Sequence, residues 1–264
     1  MNIAIIGYGK MGKMVEDTAL ALGHKIAVIV DPAAKDTPSG IPTAKTIADF
    51  DFASIDKTNP VCAVEFTQPD TAVTNIIALA ERGIPTVTGT TGWYDRLDEV
   101  QQVIEKANGQ GLNSALLWAS NFSIGVNLFW RMAWYAAELI NNFPEYDVGG
   151  FESHHNKKID SPSGTAKTLA EGVLERIKRK NKIVWETMNR KPETDEFHFP
   201  SLRLGSVPGQ HSLFFDSAAD TIEITHTARS REGFASGAVR ASEWLTAKKR
   251  LGLFTIDDMI KELL

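Results

Sequence analysis

The opening residues constrain this chain most. Asn2-Ile3-Ala4-Ile5-Ile6 is a short apolar run suited to a buried strand, and Gly7-Tyr8-Gly9-Lys10-Met11-Gly12 follows at once. Met14, Val15, Ala19 and Leu22 continue at helical spacing, so the glycines stand at a strand-to-helix turn. There a G-x-G-x-x-G segment permits a tight turn and lets backbone approach a pyrophosphate, whose charge meets the helix N-terminus. The next apolar run, residues 25–30, ends in Asp31, placed to hydrogen-bond ribose hydroxyls. The glycines alone are a weak sign. Strand, glycine loop, helix, strand and terminal acid in that order predict a dinucleotide site.

The alternation continues. A strand over residues 61–66 precedes a helical pattern over 71–82 that ends at Gly83. A strand at 85–88, Gly89-Thr90-Thr91-Gly92, a helix through Val100, Val103 and Ile104, and a strand at 115–119 follow. Repeated β–α units predict an α/β fold, a Rossmann-like doubly wound parallel sheet. Such sheets bind ligands beyond the carboxyl ends of their strands. Gly89-Thr90-Thr91 and Ser120-Asn121-Phe122 fall at that edge, although ordinary turn chemistry accounts for such residues equally well.

Residues 152–166 carry the chemistry: Glu-Ser-His-His-Asn-Lys-Lys-Ile-Asp-Ser-Pro-Ser-Gly-Thr-Ala. They are expected as a loop between a strand at 146–151 and a helix marked by Ala166, Leu169, Ala170, Val173, Leu174 and Ile177. Ser163-Gly164-Thr165 then begins a helix, where unpaired N–H groups and the dipole attract anions. Imidazoles, ammonium groups and a helix start on one loop point to a small anionic substrate that is protonated during reaction. Singly, Lys157, Lys158 or either histidine reads as a solvated or packed residue. A zinc site is disfavoured because adjacent histidines point apart and His-Glu-x-x-His is absent.

A net charge of −5 argues against a general nucleic-acid binder. The single cysteine, Cys62, rules out an internal disulfide framework and suits a reducing cytoplasm. The chain enters a strand at once, so no signal peptide is expected. The apolar helix at 126–140 is interrupted by Arg131 and Glu138, so it is not expected to span a membrane. After residue 124 the pattern changes. A polar segment at 178–196 precedes two strands, 211–216 and 221–227, that read as an antiparallel hairpin. A second, α+β domain is therefore predicted over 124–235, and it carries the histidine–lysine loop. The dinucleotide domain takes 1–123 plus 236–264, with closing helices at 234–248 and 255–264.

The chain resembles the 4-hydroxy-tetrahydrodipicolinate (dihydrodipicolinate) reductase family over essentially its whole length. Residues 152–166 match the pattern E-x-H-H-x-x-K-x-D-x-P-S-G-T-A, supported by Gly89-Thr-Thr-Gly92, Asn121-Phe-Ser-x-Gly-Val-Asn127, and Arg231 with Phe234-Ala-x-Gly-Ala238. The resemblance implies NAD(P)H-dependent reduction of a cyclic dicarboxylate with loss of water, in diaminopimelate and lysine biosynthesis. It implies His154 as catalytic acid/base, Lys158 as a second proton donor, and His155, Gly164 and Thr165 as substrate contacts. For the cofactor it implies Gly7, Lys10, Met11, Gly12, Asp31, Gly89, Thr90 and Thr91, and Ala119, Ser120, Asn121 and Phe122 near the nicotinamide. It also implies a homotetramer assembled through the second domain. Two departures stand out. The family loop is commonly G-x-x-G-x-M-G, one residue longer, and an arginine that often follows the ribose-binding acid is Pro32 here.

Charge predicts NADH use at least as good as NADPH use. Asp31 repels a 2′-phosphate, and Lys35, Lys10 and Lys13 are the cations that could offset it. The competing readings are an aspartate- or homoserine-type dehydrogenase, which would not need the His-His-x-x-Lys loop, and a non-catalytic nucleotide-sensing protein, which would not need the proton donors. Fold alone does not separate them.

Overall fold

The computed structural model describes residues 1–34, 40–56 and 58–263. It divides into two compact units, Met1–Ser123 with Glu232–Leu264, and Ile124–Arg231. The division falls ahead of the expected boundary between residues 235 and 236, because the helix Glu232–Ala247 begins there.

The first unit is a seven-stranded, wholly parallel sheet. Its strands are β1 (Asn2–Ile6), β2 (Lys25–Val30), β3 (Thr43–Ala44), β4 (Val61–Glu65), β5 (Thr86–Thr88), β6 (Ala115–Trp118) and β13 (Gly252–Thr255), in the order β13-β6-β5-β4-β1-β2-β3. Its helices are α1 (Lys10–Ala21), α2 (Pro69–Ala80), α3 (Leu97–Gly109), α6 (Glu232–Ala247) and α7 (Ile256–Leu263). Every residue of β1 is buried, as a strand covered on both faces requires. Alternation sends Ala4 and Ile6 towards Leu79 of α2, while Ile5 meets the Gly12 turn of α1. α6 packs on α1, and α2 packs on α3. Burying each isoleucine contributes about 1.5–3 kcal/mol, which makes β1 the anchor of the glycine turn at its end. The expected strand at 115–119 is β6, and the sheet gains β3 and β13 as edge strands that the sequence pattern did not announce.

The second unit is built on a mixed sheet: β7 (Asp147–His154), β8 (Lys182–Val184), β9 (Glu196–His198), β10 (Ser201–Arg203), β11 (Gln210–Asp216) and β12 (Thr221–Thr227). The order is β12-β11-β7-β9-β8, with β10 also paired to β7. β11 and β12 form the antiparallel hairpin that the alternation predicted. Helices α4 (Ile124–Ile140) and α5 (Gly164–Arg176) pack on each other and bury Val148, Leu213 and Phe215 of the sheet. The polar stretch at 178–196 holds β8 and the start of β9. Their charged neighbours pair along the edge, as Lys182 and Arg190 do with Glu196, at 3.1 and 2.6 Å.

Candidate active site

One group of candidates lies at the carboxyl ends of β1, β2, β5 and β6, adjacent strands or neighbours across β4. Gly7 has φ +89°, and a Cβ there would collide with the Phe66 carbonyl, so only glycine makes this turn. A Cβ on Gly12 would strike the Gly7 carbonyl, whereas one on Gly9 would meet nothing within 4 Å. The loop is thus closed beneath and open above, with room over Gly9 for a pyrophosphate. Helix α1 starts at Lys10, and Lys13 N–H donates to the Gly9 carbonyl at 3.2 Å, so the N–H groups of Lys10, Met11 and Gly12 precede the first intrahelical bond. These three residues and Gly7 therefore lie on one strand-to-helix turn, despite the loop being one residue shorter than the expected family pattern.

Asp31 follows β2 beside that turn. Its Oδ2 accepts from Tyr8 N–H at 2.7 Å and its Oδ1 from Ala33 N–H at 2.8 Å, which fixes the carboxylate at the end of the strand. Lys35, the cation weighed against it, lies outside the described residues.

Gly89 sits against the Phe66 ring, and Thr90 is buried while Thr91 is exposed. Thr90 Oγ1 donates to Glu65 Oε1 at 3.1 Å and accepts from Thr67 N–H at 2.9 Å. Glu65 is fully buried and also accepts from the Thr67 and Thr88 hydroxyls. The sequence reading missed Glu65; its place at the end of a predicted strand was the available signal. Beyond β6, Ala119, Asn121 and Phe122 are buried and Ser120 is exposed, with Asn121 Oδ1 accepting from Ser123 N–H at 2.8 Å.

The second group lies where β7, β10 and β11 meet the start of α5. His154 is not in the loop as expected. β7 runs on to it because β10 and β11 both pair with residues 152 and 153. Alternation then puts Glu152 and His154 on one face, and the register sets His211 directly beside Glu152. Glu152, His154 and His211 are all buried. Glu152 Oε2 lies 3.2 Å from His154 Nδ1 and 3.4 Å from His211 Nε2. Glu152 Oε1 accepts from Ser163 N–H at 2.9 Å and from the Ser201 hydroxyl at 2.7 Å, and Arg203 stands 3.6 Å away.

Burial alone would push the Glu152 carboxyl up. The hydrogen-bonding groups of His154, His211, Ser163 and Ser201 outweigh it and hold the carboxyl well below the usual range. Burial pushes His211 down, against the pull of Glu152, and lowers His226 as well.

Ser163 is the N-cap of α5: its Oγ accepts from Ala166 N–H at 3.1 Å. Gly164 and Thr165 form the first turn of that helix, and a Cβ on Gly164 would meet nothing within 4 Å. The bond from Ser163 N–H to Glu152 ties this anion-attracting turn to the imidazole cluster. Lys158 is drawn to Asp160 in its own loop, Nζ lying 2.8 and 2.9 Å from the two carboxylate oxygens. His155 follows the strand end, with Nδ1 buried and without a hydrogen-bond partner.

Sequence reading missed Glu152, Ser201, Arg203 and His211 as site residues, because strand pairing alone brings 201–211 to 152–154. It also set metal aside on the ground that adjacent histidines diverge. That ground does not reach this cluster, whose second imidazole comes from residue 211 and whose ligand-capable atoms lie within 4.8 Å of one another.

Two family descriptions match: dihydrodipicolinate reductase, N-terminus, over residues 1–122, and dihydrodipicolinate reductase, C-terminus, over 125–260. A 4-hydroxy-tetrahydrodipicolinate reductase of Christiangramia forsetii is 38% identical over 263 residues, covering 100% of this chain and 99% of that protein. One from Archaeoglobus fulgidus is 33% identical over 275 residues, covering 99% and 100%. The fold is similar to that of a dihydrodipicolinate reductase from Paenisporosarcina sp. solved with dipicolinate bound, with a TM-score of 0.73, 22% identity and 97% of each chain covered.

Proposed function

The chain belongs to the dihydrodipicolinate reductase family, and we propose on that premise how its own residues divide the work. The activity is that of an NAD(P)H-dependent oxidoreductase: reduction of 4-hydroxy-tetrahydrodipicolinate to tetrahydrodipicolinate, with loss of water, in diaminopimelate and lysine biosynthesis. Gly7, Lys10, Met11 and Gly12 hold the pyrophosphate, Asp31 the ribose, and Gly89, Thr90, Thr91 and Ala119, Ser120, Asn121 and Phe122 border the nicotinamide. The bound nicotinamide supplies the hydride. The glycine turn fits such a group: closed under Gly7 and Gly12, open over Gly9.

The observation that carries the substrate assignment is the tie of the α5 start to Glu152 through Ser163 N–H at 2.9 Å. It sets an anion-binding helix turn beside His154. A substrate carboxylate takes the N–H groups and hydroxyl of Gly164 and Thr165, and His155 contacts the ring substituents. A second carboxylate competes with Asp160 for the Lys158 ammonium, exchanging one charge-assisted pair for another. His154 and Lys158 are the proton donors to the reduced ring.

Oxidation of reduced cofactor that depends on freshly prepared substrate tests this reading. Turnover requiring both, and absent with aspartate or homoserine, is expected. We further propose a homotetramer assembled through the second unit, and a cytoplasmic location. No helix among the described residues is long and apolar enough to cross a membrane. Sedimentation at micromolar concentration is expected to give the tetramer; a monomer alone would refute the assembly.

A further inference from the structure

The buried cluster at the end of β7 leaves His154 with unlike nitrogens. Nδ1 is buried, has no partner in hydrogen-bonding line, and lies 3.2 Å from Glu152 Oε2. Glu152 Oε2 is likewise buried and out of line with either imidazole, while Oε1 is held by two donors. On the opposite edge of the ring, Nε2 lies against Gly209: a Cβ there would stand 3.0 Å from it. Gly209 therefore keeps that side of the imidazole bare. The ring keeps a tenth of its surface exposed, and none of that exposure is at Nδ1.

We propose that Glu152 is a positioning residue that holds His154 through Nδ1, so that Nε2 is the nitrogen that hands the proton to substrate, with His211 steadying the same carboxylate oxygen from β11. The inference rests on the reading of His154 as proton donor. In the step, the Nε2–H bond breaks as the new bond to hydrogen forms on the reduced ring. The imidazolium becomes neutral imidazole with its remaining proton on Nδ1, the nitrogen 3.2 Å from Glu152 Oε2, and a proton from solvent later restores Nε2–H. A carboxylate at this distance favours the Nδ1–H tautomer, the logic by which a buried acid orients an imidazole in hydrolytic triads. The groups facing the cluster are Glu152 from β7, Arg203 from β10, His211 from β11, His226 opposite it on β12, Ser163 from the start of α5, and Lys158 and Asp160 from the loop. With His211 pushed towards its neutral form by burial, the charge of Glu152 is left for His154 and Arg203.

The test compares kcat against pH for the wild-type enzyme, Glu152→Gln, His154→Ala and the double variant. Glutamine keeps the shape and an acceptor for Ser163 and Ser201 but loses the charge. Expected for Glu152→Gln is a fall in kcat of roughly tenfold or more, a part of the about 10²–10⁴-fold that a general acid supplies. Its alkaline limb should move to lower pH, the direction expected when the proton donor loses a neighbouring carboxylate. KM for cofactor should not change. The double variant should be no slower than His154→Ala alone, since the two residues act as one.

A wild-type profile in Glu152→Gln, or losses that multiply in the double variant, would overturn the inference while leaving His154 as donor. Undiminished turnover in His154→Ala would overturn the donor reading itself, and the inference with it. Should Glu152→Gln fail to fold, ¹⁵N spectra of the histidines in the wild-type enzyme decide. Above the imidazole titration, a proton on Nδ1 of His154 is expected, and a proton on Nε2 overturns the assignment. Stoichiometric zinc in the purified enzyme would do the same, as all three side chains would then be ligands.

Discussion

The glycine turn of the first unit and the carboxylate–imidazole cluster of the second each gather candidate site residues, yet they are assembled by different physics. The turn is local. Gly7, Gly9 and Gly12 act through what they lack, and every backbone group they expose lies within one strand-to-helix connection. The cluster is distant in sequence. Glu152, Ser201, Arg203 and His211 meet only because β7 pairs with β10 on one side and β11 on the other. A local site tolerates side-chain changes and fails on backbone collisions. A paired-strand site fails on loss of charge or of a hydrogen bond.

The largest losses of turnover are expected from the second site. His154→Ala and Lys158→Ala are each expected to lower kcat by roughly 10²–10⁴-fold, the usual worth of a positioned acid. Cofactor affinity, measured by fluorescence titration, should stay at the wild-type value. A variant with undiminished turnover would lose its assigned role.

The glycine turn gives the next largest effect. Gly12→Ala drives a methyl into the Gly7 carbonyl, so the loop must open and its N–H groups lose their aim. A displacement near 1 Å costs up to about 10²-fold, so KM for cofactor should rise roughly tenfold or more with a clear loss in Tm. Gly9→Ala is the control. Its methyl meets nothing within 4 Å and its φ is −75°, so Tm should hold while KM rises, the methyl standing where the pyrophosphate must lie. Equal losses of Tm in both variants would show that the turn is not open over Gly9.

The same contrast explains what the sequence disclosed. The alternation of short apolar runs with helical stripes gave away the parallel sheet, because β1, β4 and β6 are buried on both faces and read as continuous apolar strands. The glycine turn was legible since its meaning is confined to consecutive residues. β3 and β13 were not, being short pieces with mostly half-buried residues and no clean period. β8 and β9 hid in a charged stretch because Lys182 and Glu196 pair with each other along that edge. His154 was expected in a loop because strand ends follow from partners, and the partners at 201–203 and 210–216 lie far along the chain. Residues such as His211 carry no local mark of their role.

Cofactor choice belongs to the first unit and turns on the charge of Asp31. Asp31 is clamped by two backbone N–H groups at 2.7 and 2.8 Å, so its charge cannot swing away from a 2′-phosphate. Pro32 offers no guanidinium in compensation. NADH should be used at least as well as NADPH. Removing one like charge near 4 Å is worth about 1–4 kcal/mol, so Asp31→Asn should shift the kcat/KM ratio towards NADPH by roughly tenfold. A strong NADPH preference in the wild-type enzyme would mean that neighbouring lysines outweigh Asp31.

The smallest expected effect is on stability against acid, and it belongs to the second site alone. The folded Glu152 carboxyl is held below its unfolded value, about 4.3, despite its burial. Its stabilisation is therefore complete above that pH and is lost as pH falls further. His211 and His226 are also lowered in the folded state, by burial, so their contribution is complete above about pH 6.5 and is lost as pH falls below it. The two windows are separable. Glu152→Gln should flatten the decline of Tm between about pH 5 and 3 and leave the slope from 7.5 to 5.5 alone, whereas His211→Gln should flatten the upper window. Each kcal/mol involved moves Tm by about 2–4 °C in a chain of this size. If Glu152→Gln instead steepened the acid decline, the carboxyl would have to be protonated in the folded enzyme. The buried cluster would then be held by a neutral acid rather than by a charge.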